Sequence, residues 1–300
     1  MGRLLRNFLH YLFSKLFFTK IPESKQLKAP APESQAPAMG KIEIIIPTRD
    51  KPELLSSCVD SILKLTTAVE YSVTIINNGS VEPSTLVLLK SYSAMGLKII
   101  DLPIPFNFSR LCNFAIGEST AEFICLINND TEIKNGSWLE KMLLHLNVSR
   151  VQLVGSQLLY ANGEIQHNGV FFKYKGIAAH LKKRVAVSGS SSNDCTIADG
   201  ATFANVVFKK ETWSLLGGLD ERFPVGLNDV DFCARISANG GLIAICAESP
   251  TLHLESASRP STISIKGFMR ALLDVTVFLN KYPNWYRREI LMGNLANRDV

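Results

Sequence analysis

Short apolar runs alternate with longer stretches of helical spacing along most of this chain. The runs IEIIIP (42–47), SVTIIN (72–77), LKIIDL (97–102), EFICLIN (122–128), VQLVGS (151–156), ATFANVVF (201–208) and LIAICA (242–247) predict strands. Helical patterns fall between the early ones, over Pro52–Leu65, Pro83–Ala94, Asn107–Glu118 and Ser137–Leu146, and another over Asp229–Ala238. Pro52 and Pro83 stand near helix starts, where the first turn tolerates proline. Such alternation predicts an α/β fold: one domain, with a mostly parallel central sheet flanked by helices. No internal repeat is visible.

The two ends of the chain break this pattern. At about 100° per residue, Arg3, Arg6, Asn7, His10 and Ser14 share one arc, with Leu4, Leu5, Leu9, Leu12 and Leu16 opposite. Residues 1–20 therefore predict a basic amphipathic helix, too short and interrupted to span a bilayer. It suits the surface of an anionic membrane, or docking on a protein surface. A cleaved signal peptide fits less well, because Arg and Lys interrupt the apolar region. Residues 21–40 are rich in Pro, Ala and Ser and read as a flexible linker, so the main domain starts at 41. Residues 261–300 form a helical extension, with an amphipathic stretch over Ile263–Leu279 that fits a packing helix. The Trp285, Tyr286, Arg287 and Arg288 cluster after it fits an interfacial patch equally well.

Charge sharpens this division. Residues 1–28 hold Arg3, Arg6, Lys15, Lys20, Lys25 and Lys28 against Glu23; removing them from 32 Lys/Arg and 27 Asp/Glu leaves 26 of each sign. A neutral body argues against nucleic acid as a partner, because that interaction wants a basic face. The six cysteines are scattered, with no C-x-x-C pair and no zinc-ligand spacing. Free thiols point to a reducing compartment. With the basic helix, that predicts a cytoplasmic protein, peripheral at the inner face of the cytoplasmic membrane.

In a parallel sheet, ligands bind beyond the carboxyl ends of the strands. Polar clusters stand there: Thr48-Arg49-Asp50, Asn77-Asn78-Gly79-Ser80 and Asn128-Asn129-Asp130-Thr131. Any one of them alone is ordinary turn chemistry. A dinucleotide site or a P-loop would place a glycine-rich loop here, but PTRDKPELL follows Ile46. If phosphates bind, a hard cation must neutralise them, and Mg2+ characteristically takes one or two carboxylates plus phosphate oxygens. Asp130, at the end of FICLI, is the natural anchor; a turn or helix-cap role is the plainer alternative.

Seven landmarks then appear in order: IIIPTRD (44–50), INNGS (76–80), PFNFSRLCN (105–113), LINNDTEI (126–133), GEIQHNGV (163–170), GGLDERFPVGLNDVDFCARI (217–236) and LHLESASR (252–259). Together they resemble glycosyltransferase family 2, inverting enzymes of the GT-A fold, and within it the bacterial O-antigen and surface-polysaccharide (rhamnosyltransferase-like) transferases. The resemblance implies a nucleotide-diphosphate sugar donor, a glycan or lipid-linked acceptor, and Mn2+ or Mg2+. It places Pro47, Thr48 and Arg49 at the nucleoside, Asn78 at the base or ribose, and Arg110 and Asn129 near the donor. It implies Asp130 and His253 as metal ligands and Asp229 as catalytic base. Many relatives carry Asp where this chain has Asn77, and more acids at Asn128 and Asn129.

The chemistry asks for the same parts. Inverting transfer needs one carboxylate to take the acceptor's proton, and a cation to stabilise the leaving diphosphate. The sugar passes through an oxocarbenium-like state. Asp229 and Asp231 stand two apart on a helix, so only one faces the site. Asp229 is the choice, with Asp231 as a supporting or dipole-stabilising acid. A sugar nucleotidyltransferase would want a glycine-rich first loop, absent here. A degenerate nucleotide- or glycan-binding relative remains the alternative that the asparagines favour.

Overall fold

Ile42, Ile44 and Ile46 are buried in one hydrophobic core, and Ile45 between them in another. Successive side chains of a strand leave opposite faces, so an unbroken apolar run demands cover on both. The computed structural model describes residues 27–29, 40–173, 176–180, 185–186, 195–254 and 265–283. The strands are β1 (Leu27–Lys28), β2 (Ile42–Thr48), β3 (Tyr71–Asn77), β4 (Lys98–Asp101), β5 (Phe123–Ile127), β6 (Thr131–Ile133), β7 (Val151–Leu159), β8 (Glu164–His167), β9 (Val170–Lys173), β10 (Gly176–His180), β11 (Val185–Ala186), β12 (Cys195–Ala198), β13 (Asn205–Lys209) and β14 (Leu242–His253). The helices are α1 (Pro52–Leu65), α2 (Pro83–Ala94), α3 (Phe108–Glu118), α4 (Trp138–His145), α5 (Lys210–Leu216), α6 (Asn228–Ala238) and α7 (Ile265–Lys281).

The main sheet runs β1-β12-β14-β7-β13-β5-β2-β3-β4. β5, β2, β3 and β4 are parallel, as are β7 and β14. Between these parallel groups β13 runs antiparallel to both β5 and β7. The strand–helix alternation ends after α4, and strands joined without a crossover helix pair antiparallel. One face is covered by α1, which buries Leu55, Cys58, Val59 and Ile62 at helical spacing, with α2 and α4 beside it. On the other face lie α3, α5 and α6, where Phe208 stacks on Trp213 at 5.2 Å and Trp213 meets Phe232 at 4.9 Å. Each such fully buried side chain contributes about 1.5–3 kcal/mol of transfer free energy.

The helices over 52–65 and 83–94 stand where the spacing predicts them. The run 201–208 becomes a strand only from Asn205; Ala201, Phe203 and Ala204 are buried without pairing in the sheet. Within the expected linker, Leu27–Lys28 pair with β12 and Ala29 is buried, so this piece rests on the sheet edge. The expected helix over 1–20, the rest of the linker and the 285–288 patch lie outside the described residues. The C-terminal stretch is a packing helix where described: Phe278 of α7 is buried against Phe223 and Tyr282. Among the described residues no helix is long and apolar enough to cross a membrane. All six cysteines are buried and free.

Candidate active site

Three polar loops meet at the carboxyl edge of β2, β3 and β5. Thr48 closes β2, and its Oγ1 accepts from Asn129 Nδ2 over 2.9 Å. Its carbonyl accepts from the Asn78 backbone N–H, also at 2.9 Å. Asn78 Nδ2 in turn donates to the carbonyls of Leu102 and Ile104, at 2.9 and 2.8 Å, and pins the loop after β4. Thus Thr48, Asn78 and Asn129 are brought together, but both amide groups are occupied in holding the edge. Asn78 Oδ1 is buried with no hydrogen-bond partner among the described residues. Pro47 is half-buried beside them. Arg49 follows on the rim, exposed and without an ion pair among the described residues; Arg110, in the first turn of α3, is likewise.

Backbone strain accompanies this edge. Asp50 and Lys51 adopt φ of 53° and 61°, a region that costs a side-chain-bearing residue energy. Asp50 Oδ1 accepts from the N–H groups of Val81 and Glu82, at 2.8 and 2.9 Å, where α2 begins. Asn77 bridges outward: Oδ1 accepts from Ser80 N–H at 2.9 Å, and Nδ2 donates to Asp101 Oδ1 at 2.7 Å. An aspartate at 77 would set two carboxylates face to face, which is a physical reason for the departure from the acid found in many relatives.

Asp130 lies one residue before β6, a strand too short for its apolar pattern to announce it. β6 pairs antiparallel with the end of β14 in the register Thr131–His253, Glu132–Leu252, Ile133–Thr251. Leu254 N–H extends the ladder to the Asp130 carbonyl at 2.9 Å. A register shift between Cys246 and Thr251 re-aims the second half of β14 toward this pairing. The outcome is that His253 Nε2 lies 3.3 Å from Asp130 Oδ1, with both side chains largely buried. Among the described residues no third His, Cys, Asp or Glu completes a metal cluster. Two convergent donors, one carboxylate and one imidazole, fit a cation that draws its remaining ligands from a diphosphate and water. Cys58 Sγ stands 3.7 Å from Thr131 Oγ1, but burial pushes its thiol up to about 12, so it serves as packing.

Asp229 and Asp231 divide as the helical spacing requires. Asp231 is fully buried: Oδ2 accepts from Arg235 Nε and Nη2 at 3.0 and 2.8 Å, and Oδ1 meets Tyr282 Oη at 2.8 Å and Lys281 Nζ at 2.6 Å. Its lone pairs are taken up by structure. Asp229 is half-buried in the first turn of α6, with Oδ1 accepting from Val230 N–H at 2.8 Å. Leu227 just before it holds φ of 60°, and this strained entry is pinned from two sides. Ser109 of α3 donates to the Phe223 carbonyl at 2.7 Å, and Gly226 N–H reaches Asp274 of α7 at 3.2 Å.

Several contributors escape sequence reasoning. Gln166 touches His253, Asp101 holds Asn77, and Asp274, Lys281 and Tyr282 brace α6 from the far end of the chain. Gln166 lies within GEIQHNGV, but nothing local shows that β8 reaches the end of β14.

The profile of the family described as Glycosyl transferase family 2 matches residues 43–194. The O-antigen biosynthesis protein RfbC of Myxococcus xanthus is 33% identical over 248 residues, 79% of this chain but 19% of that protein. The chain thus spans about a fifth of that relative's length. Among solved structures, GalNAc-T7 with UDP, GalNAc and Mn2+ superposes with a TM-score of 0.60 at 14% identity, over 75% of this chain and 46% of the other. A mannosyltransferase of Pyrobaculum calidifontis with GDP-Man and Mn2+ gives 0.55 at 12% identity, over 86% of this chain and 65% of the other. At such identities the likeness is one of fold, the GT-A fold.

Proposed function

Because the chain belongs to glycosyltransferase family 2, we propose that it transfers a sugar, with inversion, from a nucleotide-diphosphate donor to a glycan or lipid-linked acceptor in cell-surface polysaccharide synthesis. The observation that carries this reading is the Asp130–His253 pair, closed to 3.3 Å by the β6–β14 register beside the Thr48–Asn129 edge. Relatives in fold bind UDP or GDP-Man with Mn2+, which supports a nucleotide sugar and a divalent metal here.

Asp130 and His253 would hold Mn2+ or Mg2+, which supplies Lewis-acid stabilisation of the negative charge on the leaving diphosphate. Pro47, Thr48 and Asn78 shape the nucleoside end, and Asn78 holds the loop after β4 against it. Arg49 and Arg110, exposed cations on the same rim, attract the donor's phosphates. Asn129 holds Thr48 and so keeps the edge in register with Asp130. Asp229 accepts the acceptor hydroxyl's proton as that oxygen bonds to the anomeric carbon. The bond from that carbon to the diphosphate oxygen breaks with its electron pair on the nucleotide, so no protein acid is required. The basic segment 1–20 supports a peripheral place on the inner face of the membrane.

The test follows nucleotide release and melting temperature across a panel of UDP-, GDP- and dTDP-sugars, with and without Mn2+ and lipid-linked acceptors. One donor should raise the melting temperature most with Mn2+ present, because binding to the native state stabilises it by mass action. Asp130→Ala should abolish both release and the Mn2+-dependent shift. Stabilisation by a donor without turnover across the acceptor panel would instead mark a binding protein.

A further inference from the structure

Gln166 meets His253 twice. Its Nε2–H donates to the His253 carbonyl over 3.2 Å, and its Oε1 lies 2.6 Å from His253 Nδ1. The first contact decides the second. With the amide nitrogen turned to the carbonyl, the end facing the ring is an oxygen, which only accepts. Nδ1 then carries a proton, and the neutral form of the ring presents its lone pair at Nε2. That lone pair faces Asp130 Oδ1 at 3.3 Å. In that form the ring and the carboxylate present two electron-pair donors to one point, the arrangement a divalent cation takes up.

The backbone explains why this task falls to Gln166. The β14–β7 ladder stops at Leu252–Leu159, so His253 runs past the end of β7. β8 folds back on β7 with Leu158 opposite His167, which brings its neighbour Gln166 to that open end. Gln166 is itself buried, and a neutral acceptor there avoids the cost of burying a second carboxylate.

We propose that Gln166 is a positioning residue that fixes the tautomer and ring plane of His253, so that Nε2 and Asp130 Oδ1 face one divalent cation. This rests on the reading of Asp130 and His253 as the metal pair. With two protein donors among the described residues, the orientation of each counts heavily, and outer partners of ligating histidines carry much of a site's affinity.

Two variants separate positioning from a plain strand tie. Gln166→Leu removes both contacts. Gln166→Glu keeps an oxygen for Nδ1–H but loses the donor to the carbonyl. The protein has five histidines, so selective 15N-histidine labelling and long-range 1H–15N correlation can read the His253 tautomer, assigned with His253→Gln. Wild type and Gln166→Glu should show the Nδ1–H form, and Gln166→Leu should lose it. Mn2+ uptake, followed by EPR with UDP or GDP present, should weaken about 10–100-fold in Gln166→Leu, while Gln166→Glu retains most of it. Gln166→Met serves in place of the leucine variant if that one does not fold. An unchanged tautomer in the apolar variant overturns the proposal, whatever happens to Mn2+. If wild type binds Mn2+, Asp130→Ala does not, and Gln166→Leu binds as wild type, only the positioning role falls. If wild type takes up no Mn2+ with either nucleotide, the metal reading fails and the proposal falls with it.

Discussion

Tyr282 Oη donates to Asp231 Oδ1 over 2.8 Å, joining the residue just after α7 to the first turn of α6. Arg235 and Lys281 complete the cluster around this fully buried carboxylate. Removing one partner of a buried ion group leaves the others uncompensated, at about 3–5 kcal/mol. Asp231→Ala should therefore lower the unfolding free energy by about 3 kcal/mol, read from the urea midpoint. A midpoint equal to wild type would show that α7 is not held through Asp231.

Asp229 should behave in the opposite way. An asparagine keeps the oxygen that accepts from Val230 N–H, so the helix start survives the change. An amide, however, cannot take the proton that the proposed base would accept. Asp229→Asn should lower kcat by about 10²–10⁴ and leave the melting temperature within about 4 °C of wild type. Nucleotide release at the wild-type rate would remove Asp229 from the mechanism.

Asn77 offers a test of why an amide stands where many relatives carry an acid. Asn77→Asp sets a carboxylate against Asp101, in place of the 2.7 Å hydrogen bond. The loss should be about 1 kcal/mol at neutral pH. Repulsion raises the folded-state pKa of the new pair, so the deficit is smallest in acid and grows as pH rises through the carboxylate range. Adding Asp101→Asn should restore the bond in reverse and recover most of the loss in a double-mutant cycle. Additive losses would mean that the two residues do not communicate.

Asp220 sets a different pH dependence. Arg222 grips its carboxylate and Lys281 approaches at 2.8 Å, and together they hold it well below the usual carboxylate range despite partial burial. A folded-state pKa below the unfolded one stabilises the protein at pH above the unfolded value, and that contribution disappears as pH falls through the folded value. Asp220→Asn should thus melt below wild type at neutral pH, and the gap should narrow below about pH 4. Melting curves at several pH values give the answer; a gap that widens in acid contradicts the assignment.

Much of the architecture was legible because it is written in local periodicity. The unbroken run of isoleucines in β2 demanded two covered faces, and the spacing of Leu55, Cys58, Val59 and Ile62 supplied one of the covers. The position of Asp130 at the end of an apolar strand was equally local. Asp229 against Asp231 was half legible: helical geometry said that one would face away, and the buried cluster around Asp231 says which.

What the sequence determined by itself was the set of elements, their alternation and the polar residues at the strand ends, since each depends only on near neighbours. The family resemblance paired His253 with Asp130, but only the tertiary structure shows how they meet, through the β6–β14 register between segments more than a hundred residues apart. It alone placed Gln166 behind His253, and Tyr282 and Lys281 behind Asp231. Hydrophobic periodicity fixes which face of a strand is buried; it carries no information about which distant strand will lie alongside. That choice is made by the packing of the whole sheet.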